Sequence, residues 1–533
     1  MCSMSRTTVE KKTAVRNGIG RMAFSVIVFL LEAWFLVSLF TALSTITVWI
    51  DAGMRVFALI LVLAIYSMNR TSSMKMPWII LILLMPIVGV GIYLVVGLNS
   101  KTVKMRRRYE AIDRVLLPEL TKQDAGKKAR AAGERLKRYE PQLATISYYL
   151  TKNSGYPLYA DSDIVYYDDA AKAFEAQKEA MRQAKRFIFL EYHAIEDKES
   201  WHSVLDILKE RADAGVEVRV FYDDMGSIGF INRDFIKRME NVGIRCRVFN
   251  PFMPGLNLFL NNRDHRKITV IDGFIGFTGG YNIANEYFNI TQPYGRWKDT
   301  GVRLTGRAVR SMTATFLENW NAVKGDDRDD TGFDRYLLTQ EADAFAPRTN
   351  GTVFVQPYAD SPLDHLHIGE DVYISMAEKA VRYCWFITPY LILTDETIHA
   401  FTLAAMRGVD VRVITPGIPD KKIIYGVTRS FYNSLTRGGV RIFEWSPGFC
   451  HCKMSVMDDK AATCGTINLD YRSLYHHFEN GCLYMNCDAV LDTKKDFDRI
   501  LTQCREVTEE YTTGRSARRR LWHLFLRLFA QLL

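Results

Sequence analysis

The 533-residue chain is 48% hydrophobic, 12% aromatic and 24% charged, which excludes a disordered, fibrous or low-complexity protein and allows substantial buried cores. At ~150 residues per domain its length fits about three units. Lys and Arg outnumber Asp and Glu by 69 to 60, a formal charge of +9 that favours anionic partners such as phospholipid headgroups or nucleic acid.

Three apolar runs open the chain and argue against a purely soluble protein. Residues 22–50 carry one charge, Glu32, over more than the ~20 residues a bilayer requires. Residues 56–66 reach spanning length only with their flanks, and they either cross or re-enter. Residues 77–98 are 22 residues without a charge and form the clearest predicted span, since Pro86, Gly89 and Gly91 are tolerated in lipid-embedded helices. A cleaved signal peptide fits poorly, because the first run exceeds an h-region and two more follow it. Three full crossings would put the basic residues before the first run and those at 101–108 on opposite sides, against the positive-inside tendency.

Residues 101–140 hold thirteen Lys or Arg against six Asp or Glu, a basic linker suited to an anionic lipid surface. The nine cysteines lack framework spacing and are expected to be free thiols. Cys450 and Cys452 flank His451 on a predicted strand, so both thiols face away from it and pack in the core, with no zinc site expected.

Beyond the linker the sequence repeats itself. Residues 186–193 (RFIFLEYH) are echoed by 383–390 (YCWFITPY), 215–220 (GVEVRV) by 408–413 (GVDVRV), and 243–249 (GIRCRVF) by 439–443 (GVRIF). Helix-length stretches separate the first two members of each set, so two related α/β halves are predicted, over 141–325 and 350–510. The intervening residues, rich in Asp, Thr and Arg, connect them. A basic, aromatic segment at 515–533 (RSARRRLWHLFLRLFAQLL) is too short to span and reads as an interfacial amphipathic helix.

A fourth repeated element carries the chemistry. His265, Lys267, Asp272 and Gly279-Gly280-Tyr281-Asn282 have the form HxKx4Dx6GGxN, and His451, Lys453, Asp458 and Gly465-Thr466-Ile467-Asn468 repeat it at identical spacing. HxK on a strand puts an imidazole and an ammonium on one face, within reach of one anion, while the Asp ends the strand. Glycine permits close backbone approach, and Asn supplies an amide donor. Two sets facing each other across one phosphate suggest covalent phosphoryl transfer: one His attacks phosphorus, and the other protonates the leaving oxygen and deprotonates the incoming one. Lys267, Lys453, Asn282 and Asn468 would neutralise the equatorial oxygens, so no metal or other cofactor is expected. Either histidine fits either role.

This double motif resembles the phospholipase D superfamily, and the surrounding sequence is similar to its bacterial cardiolipin synthase branch along nearly the whole chain. The similarity lies in residues 86–97 (PIVGVGIYLVVG), 262–286 (NRDHRKITVIDGFIGFTGGYNIANE), Thr388-Pro389-Tyr390 and 465–479 (GTINLDYRSLYHHFE). The resemblance implies an α/β fold of two pseudo-symmetric phospholipase-D-like halves with mixed sheets, preceded by N-terminal transmembrane helices in a membrane anchor over 1–100. It implies a phosphatidyltransferase that moves a phosphatidyl group from one phosphatidylglycerol to a second through a phosphohistidine, yielding cardiolipin and glycerol. Water or serine as acceptor is the alternative. The implied catalytic residues are His265, Lys267, Asp272, His451, Lys453 and Asp458, with Asn282 and Asn468 on the phosphate. Glu479 would orient the histidine of the second motif and Asp299 that of the first, with Glu286 a nearer local support. The expected setting is a bacterial cell membrane crossed several times, with phosphatidylglycerol and anionic lipid as partners, catalytic halves on the cytoplasmic side and no nucleic acid partner; oligomeric state is left open. Asp264, where the family pattern suggests an amide, and Lys421, where it suggests His, depart from the pattern. His193, His202, His365, His367, His399, His476, His477 and His523 match no catalytic position and read as structural or exposed.

Overall fold

The computed structural model describes residues 48–513, except 69–70, 95–99, 123, 233, 252–261, 324–327, 330–331 and 348–350, together with scattered helical residues in 23–38 and 521–527. Most of the first apolar run and most of the C-terminal segment therefore lie outside the described residues.

Helices α1 (Val48–Ser67), α2 (Ser72–Leu84) and α3 (Pro86–Ile92) form a small bundle. Its core is Ala58, Ile65, Ile82, Val90 and Tyr93, with Trp78 set edge-on to Tyr93 at 5.3 Å. The run 77–98 is not one helix: it breaks at Met85, where φ −135° and ψ 74° lead into Pro86 at the first position of α3. Proline lacks the N–H that would continue the hydrogen-bond ladder, and it disfavours helical geometry in the residue before it. Gly89 lets α3 fold tightly, since an added Cβ would come 2.7 Å from the Ile82 Cα and the Leu81 carbonyl oxygen. Among the described residues no helix is long and apolar enough to cross a membrane. The outer face of α1 is nevertheless apolar and exposed at Val56, Leu59, Ile60 and Leu63.

Residues 101–140 are folded rather than a free linker. They form α4 (Ser100–Glu119) and α5 (Asp124–Tyr139), followed by α6 (Pro141–Tyr149). Tyr109, Ile112, Leu116, Leu136 and Ile146 are buried in the same core as the two halves, because each helix carries apolar residues at helical spacing beneath its basic surface.

The first half contains β1 (Ser162–Tyr167), β2 (Phe187–Tyr192), β3 (Glu217–Asp223), β4 (Arg245–Phe249), β5 (Arg263–Asp264), β6 (Lys267–Ile271), β7 (Ile275–Gly279), β8 (Arg296–Lys298) and β9 (Gly301–Gly306). The second contains β10 (Phe354–Asp360), β11 (Tyr383–Ile387), β12 (Asp410–Pro416), β13 (Arg441–Trp445), β14 (Gly448–Cys450), β15 (Met454–Met457), β16 (Ala461–Gly465), β17 (His477–Met485) and β18 (Cys504–Glu506). One sheet runs β1-β9-β7-β6-β2-β3-β4 and the other β10-β17-β16-β15-β11-β12-β13-β18. Apart from β18 the two orders correspond strand for strand. Both are mixed sheets, with β2/β3/β4 and β11/β12/β13 parallel and the remaining pairs antiparallel. Helices 170–182 and 199–213 in the first half and 368–379 and 395–406 in the second alternate with the strands, as the repeats predict.

Two short strands cross between the halves. β5 pairs in parallel with the start of β17, Arg263 opposite His477 and Asp264 opposite Phe478, and β14 pairs in parallel with β8, Phe449 opposite Trp297 and Cys450 opposite Lys298. Each leads directly into a motif histidine.

Candidate active site

The register of these crossing strands sets the site. The next residues along β5 and β17 are His265 and Glu479, and those along β14 and β8 are His451 and Asp299. Backbone bonds lock both pairs, His265 N–H donating to the Phe478 carbonyl at 2.9 Å and His451 N–H to the Lys298 carbonyl at 2.8 Å. His265 Nδ1 then lies 2.9 Å from Glu479 Oε1, and His451 Nδ1 lies 2.8 Å from Asp299 Oδ2. The carboxylates are thus exchanged relative to the sequence expectation: Glu479 orients the first-motif histidine and Asp299 the second. Pairing within a half fails because Glu479, near the start of β17, and Asp299, just after β8, each lie beside a crossing strand of the other half.

A carboxylate on Nδ1 leaves Nε2 as the free imidazole nitrogen. Both histidines are buried and line one cavity of about 370 Å³ with Asn282 and Asn468. Lys267 Nζ donates to the His265 carbonyl at 2.7 Å. Lys453 Nζ donates to the His451 carbonyl and lies 2.8 Å from His451 Nδ1. The Asn282 amide donates to the Tyr287 hydroxyl at 2.7 Å, and its oxygen accepts from Ala194 N–H at 3.1 Å. Asn468 Oδ1 is buried with no hydrogen-bond partner among the described residues. Gly280 makes room for the second dyad, since an added Cβ would overlap Asp299 Oδ1. Thr466 occupies the corresponding place in the other half, and its hydroxyl donates to Glu479.

Burial dominates the electrostatics. It holds both imidazoles well below the usual histidine range, with the Lys267 and Lys453 charges adding to the effect. Lys267 is brought down to about 7 by burial, with Glu479 opposing and Lys453 assisting. Lys453 is also lowered by burial, against Asp299. Burial pushes Asp299 up to about 6, with Lys453 opposing. Burial therefore favours neutral imidazoles with Nε2 free, and the negative charge of an incoming phosphate raises the proton affinity of the lysines and of the histidine that does not attack.

Asp272 and Asp458 are not in the cavity. Each ends its strand in the left-handed region, at φ 53° and 52°. Asp272 accepts from the N–H groups of Lys185, Arg186 and Phe187 at 2.8–2.9 Å, and Asp458 accepts from those of Val381, Arg382 and Tyr383 at 2.7–2.8 Å. Their repeat is structural: one carboxylate caps the start of the adjacent strand and fixes the hairpin that carries HxK. Asp264 points away from the cavity, fully buried, and its carboxylate accepts from Arg266 N–H at 3.2 Å. Lys421 stands at the cavity mouth with its Nζ 5.6 Å from the Tyr390 ring centre.

Two histidines read as structural belong to the site. His193 and His477 line the cavity, with ring centres 5.0 and 5.4 Å from that of His265. Their signal lay in spacing, because His477 is two residues before Glu479 on the same strand face and His193 follows β2 directly. The His451 side is walled by Tyr287 and Trp297, each with ring centres 5.3 Å away. His265, His477 and Glu479 bring potential metal-ligand atoms within 4.8 Å of one another, but Glu479 is already engaged by His265 and Thr466. Of the cysteines, Cys450 and Cys452 are buried free thiols in the core, as expected.

Two exchanged histidine–carboxylate pairs on one cavity, presented by a duplicated α/β fold, are an arrangement able to carry phosphoryl transfer. Comparison with known proteins agrees. The family model described as cardiolipin synthase, PLD-like domain, matches residues 178–310 and 373–501, and a phospholipase D-nuclease N-terminal model matches 56–97. A cardiolipin synthase of Staphylococcus aureus is 30% identical over 475 residues, 88% of this chain and 92% of that one. Another, from Halalkalibacterium halodurans, is 28% identical over 503 residues, 94% and 95% of the two chains. A Streptococcus mutans protein is 41% identical over 399 residues, 75% of this chain and 85% of its own. The fold is similar to that of Haemophilus influenzae phosphatidylserine synthase, with a TM-score of 0.54 at 15% identity, covering 69% of this chain and 95% of that one. The chain belongs to the cardiolipin synthase family of the phospholipase D superfamily and is a phosphatidyltransferase.

Proposed function

We propose that the protein is a cardiolipin synthase that uses two molecules of phosphatidylglycerol. The observation carrying this reading is the pair of exchanged dyads on one cavity, in a chain similar to cardiolipin synthases over most of its length. One imidazole Nε2 attacks the phosphorus of the first lipid and the P–O bond to its headgroup glycerol breaks. The second imidazole, protonated, gives its proton to that oxygen, and glycerol leaves. The same imidazole then takes the proton of a glycerol hydroxyl on the second lipid, whose oxygen attacks phosphorus as the P–N bond breaks. Lys267, Lys453, Asn282 and Asn468 stabilise the equatorial oxygens. Glu479 and Asp299 hold the Nδ1–H tautomers.

The proposal assigns residues 1–100 to a membrane anchor, 141–325 and 350–510 to the catalytic halves, and 515–533 to an interfacial helix at a cell membrane. The exposed apolar face of α1 supports the anchor. The break at Pro86 supports a bent α2–α3 pair that returns to its own side, which would put both basic clusters on one face of the membrane. Anionic lipid is the partner, and nucleic acid is not.

Lipid mass spectrometry on the purified full chain in phosphatidylglycerol vesicles tests the reaction, with a His451→Ala control. Cardiolipin and equimolar glycerol, both lost in the control, are expected. Phosphatidic acid in place of cardiolipin would make water the acceptor and refute the assignment.

A further inference from the structure

The two repeats carry different chemistry at matched positions around their histidines. Two residues before His265 stands Arg263, and two before His451 stands Phe449. Two residues before Glu479 stands His477, and two before Asp299 stands Trp297. Four residues after the motif asparagines stand Glu286 in the first half and Arg472 in the second. Arg263, Arg472 and His477 all line the cavity, as do Trp297 and Glu286, while the Phe449 ring centre lies 5.9 Å from that of His451. A nearly twofold scaffold therefore encloses an asymmetric space, with guanidinium groups and Asp470 towards His265 and aromatic rings, Glu286 and Lys421 towards His451.

The arginine side is built rather than incidental. Residues two apart on an extended chain share a face about 7 Å apart, so the Arg263 side chain stands beside that of His265. Arg263 is buried, donates to the Asn250 carbonyl at 2.8 Å and lies 3.7 Å from Asp223. Arg472 is half-buried and feels the charges of both Asp470 and Arg263. Two guanidinium groups near one cavity repel each other. Asp223, which also accepts from the N–H groups of Gly226 and Asp264 at 2.9 and 3.1 Å, and Asp470, which accepts from Ser473 N–H at 2.9 Å, offset part of that charge. An anion placed between the arginines relieves that repulsion.

The proposed reaction supplies such an anion. In cardiolipin two phosphodiesters are joined by one glycerol, so whichever histidine carries the phosphatidyl group, the acceptor's own phosphate lies one glycerol away from the reacting phosphorus. We infer that Arg263 and Arg472 hold the phosphodiester of the acceptor lipid and so favour an anionic acceptor over a neutral alcohol or water. The inference rests on the transfer reaction proposed above and extends it to a second phosphate.

The test uses the full chain in phosphatidylglycerol vesicles supplied with isotopically labelled free glycerol. A single phosphatidyl-enzyme then partitions between two acceptors, giving cardiolipin when lipid accepts and labelled phosphatidylglycerol when glycerol accepts. Arg472→Gln and Arg263→Gln should each lower the ratio of cardiolipin to labelled phosphatidylglycerol at least tenfold, and Arg472→Lys should lower it less. An unchanged ratio in Arg472→Gln, whose half-buried position makes it the variant that decides if Arg263→Gln does not fold, would overturn the inference and leave the transfer reaction standing. A wild-type protein that forms only phosphatidic acid would overturn the transfer reaction and this inference with it.

Discussion

The exchange of carboxylates between halves can be tested with Asp299→Asn. Asp299 is 1% exposed, and burial moves it from 3.8 to about 6. A folded-state value above the unfolded one means that the ionised group opposes folding. The penalty is absent below about pH 4, grows between pH 4 and 6, and is complete above that, where a shift of this size corresponds to about 3 kcal/mol. Asparagine keeps the shape without the charge, so Asp299→Asn should stabilise the protein by about 1–3 kcal/mol at pH 7.5 and lose that gain near pH 4. Activity should fall about 10³–10⁴-fold, because an amide no longer fixes the His451 tautomer or stabilises its cation. A double-mutant cycle on thermal or denaturant unfolding in detergent identifies the partner. Asp299→Asn with His451→Gln should show a coupling of about 1–3 kcal/mol, and with His265→Gln less than about 0.5 kcal/mol. Coupling of Asp299 to His265 rather than His451, or destabilisation by Asp299→Asn at pH 7.5, would refute the reasoning.

Asp272→Ala and Asp458→Ala each remove an acceptor serving three backbone N–H groups. Each should lower stability by about 2–4 kcal/mol, measured as a fall in unfolding midpoint, while activity per folded molecule changes less than about threefold. Gly280→Ala should displace the Asp299 carboxylate and lower kcat at least about a hundredfold without loss of the folded state, read by near-ultraviolet circular dichroism. Burial brings Lys267 down to about 7, so its charge is lost as pH rises through that value. kcat/KM should fall above pH 7 in step, and Lys267→Arg, at a lower overall rate, should carry that limb beyond pH 9; an unmoved limb would reassign it.

The duplicated halves were legible because their evidence is local and repeated. The valine-rich strand pairs 215–220 and 408–413 and the HxK spacing state their structure within a few residues, and both sheets follow the same strand order. What the sequence concealed lies in contacts between the halves. Nothing near Glu479 says that the strand beside it is β5 rather than β14, so the resemblance, carried over motif by motif within each half, pointed to the wrong histidine. Asp272 and Asp458 were misread for a related reason, since they recur with the catalytic residues but serve the turn behind them. Residues 101–140 hid their buried positions under a basic composition, and in 77–98 total apolarity outweighed a proline that the backbone could not ignore.

The folded state of residues 101–140 bears on how the cavity meets its substrate. Tyr109 of α4 stacks on Phe478 at 4.8 Å and donates to Asn319 at 2.7 Å. Phe478 is the residue before Glu479, and its carbonyl holds His265 in register. The helix that follows the apolar N-terminal bundle is thus packed directly behind the first dyad, and α4 is separated from α3 by only a few residues of chain. A free linker would let the cavity sample many heights and tilts above a bilayer, and each productive encounter would then carry an orientational entropy penalty. A helix built into the core shortens that tether, so the contacts that order His265 and Glu479 also place the start of α4 within a few residues of the part of the chain proposed to sit in lipid.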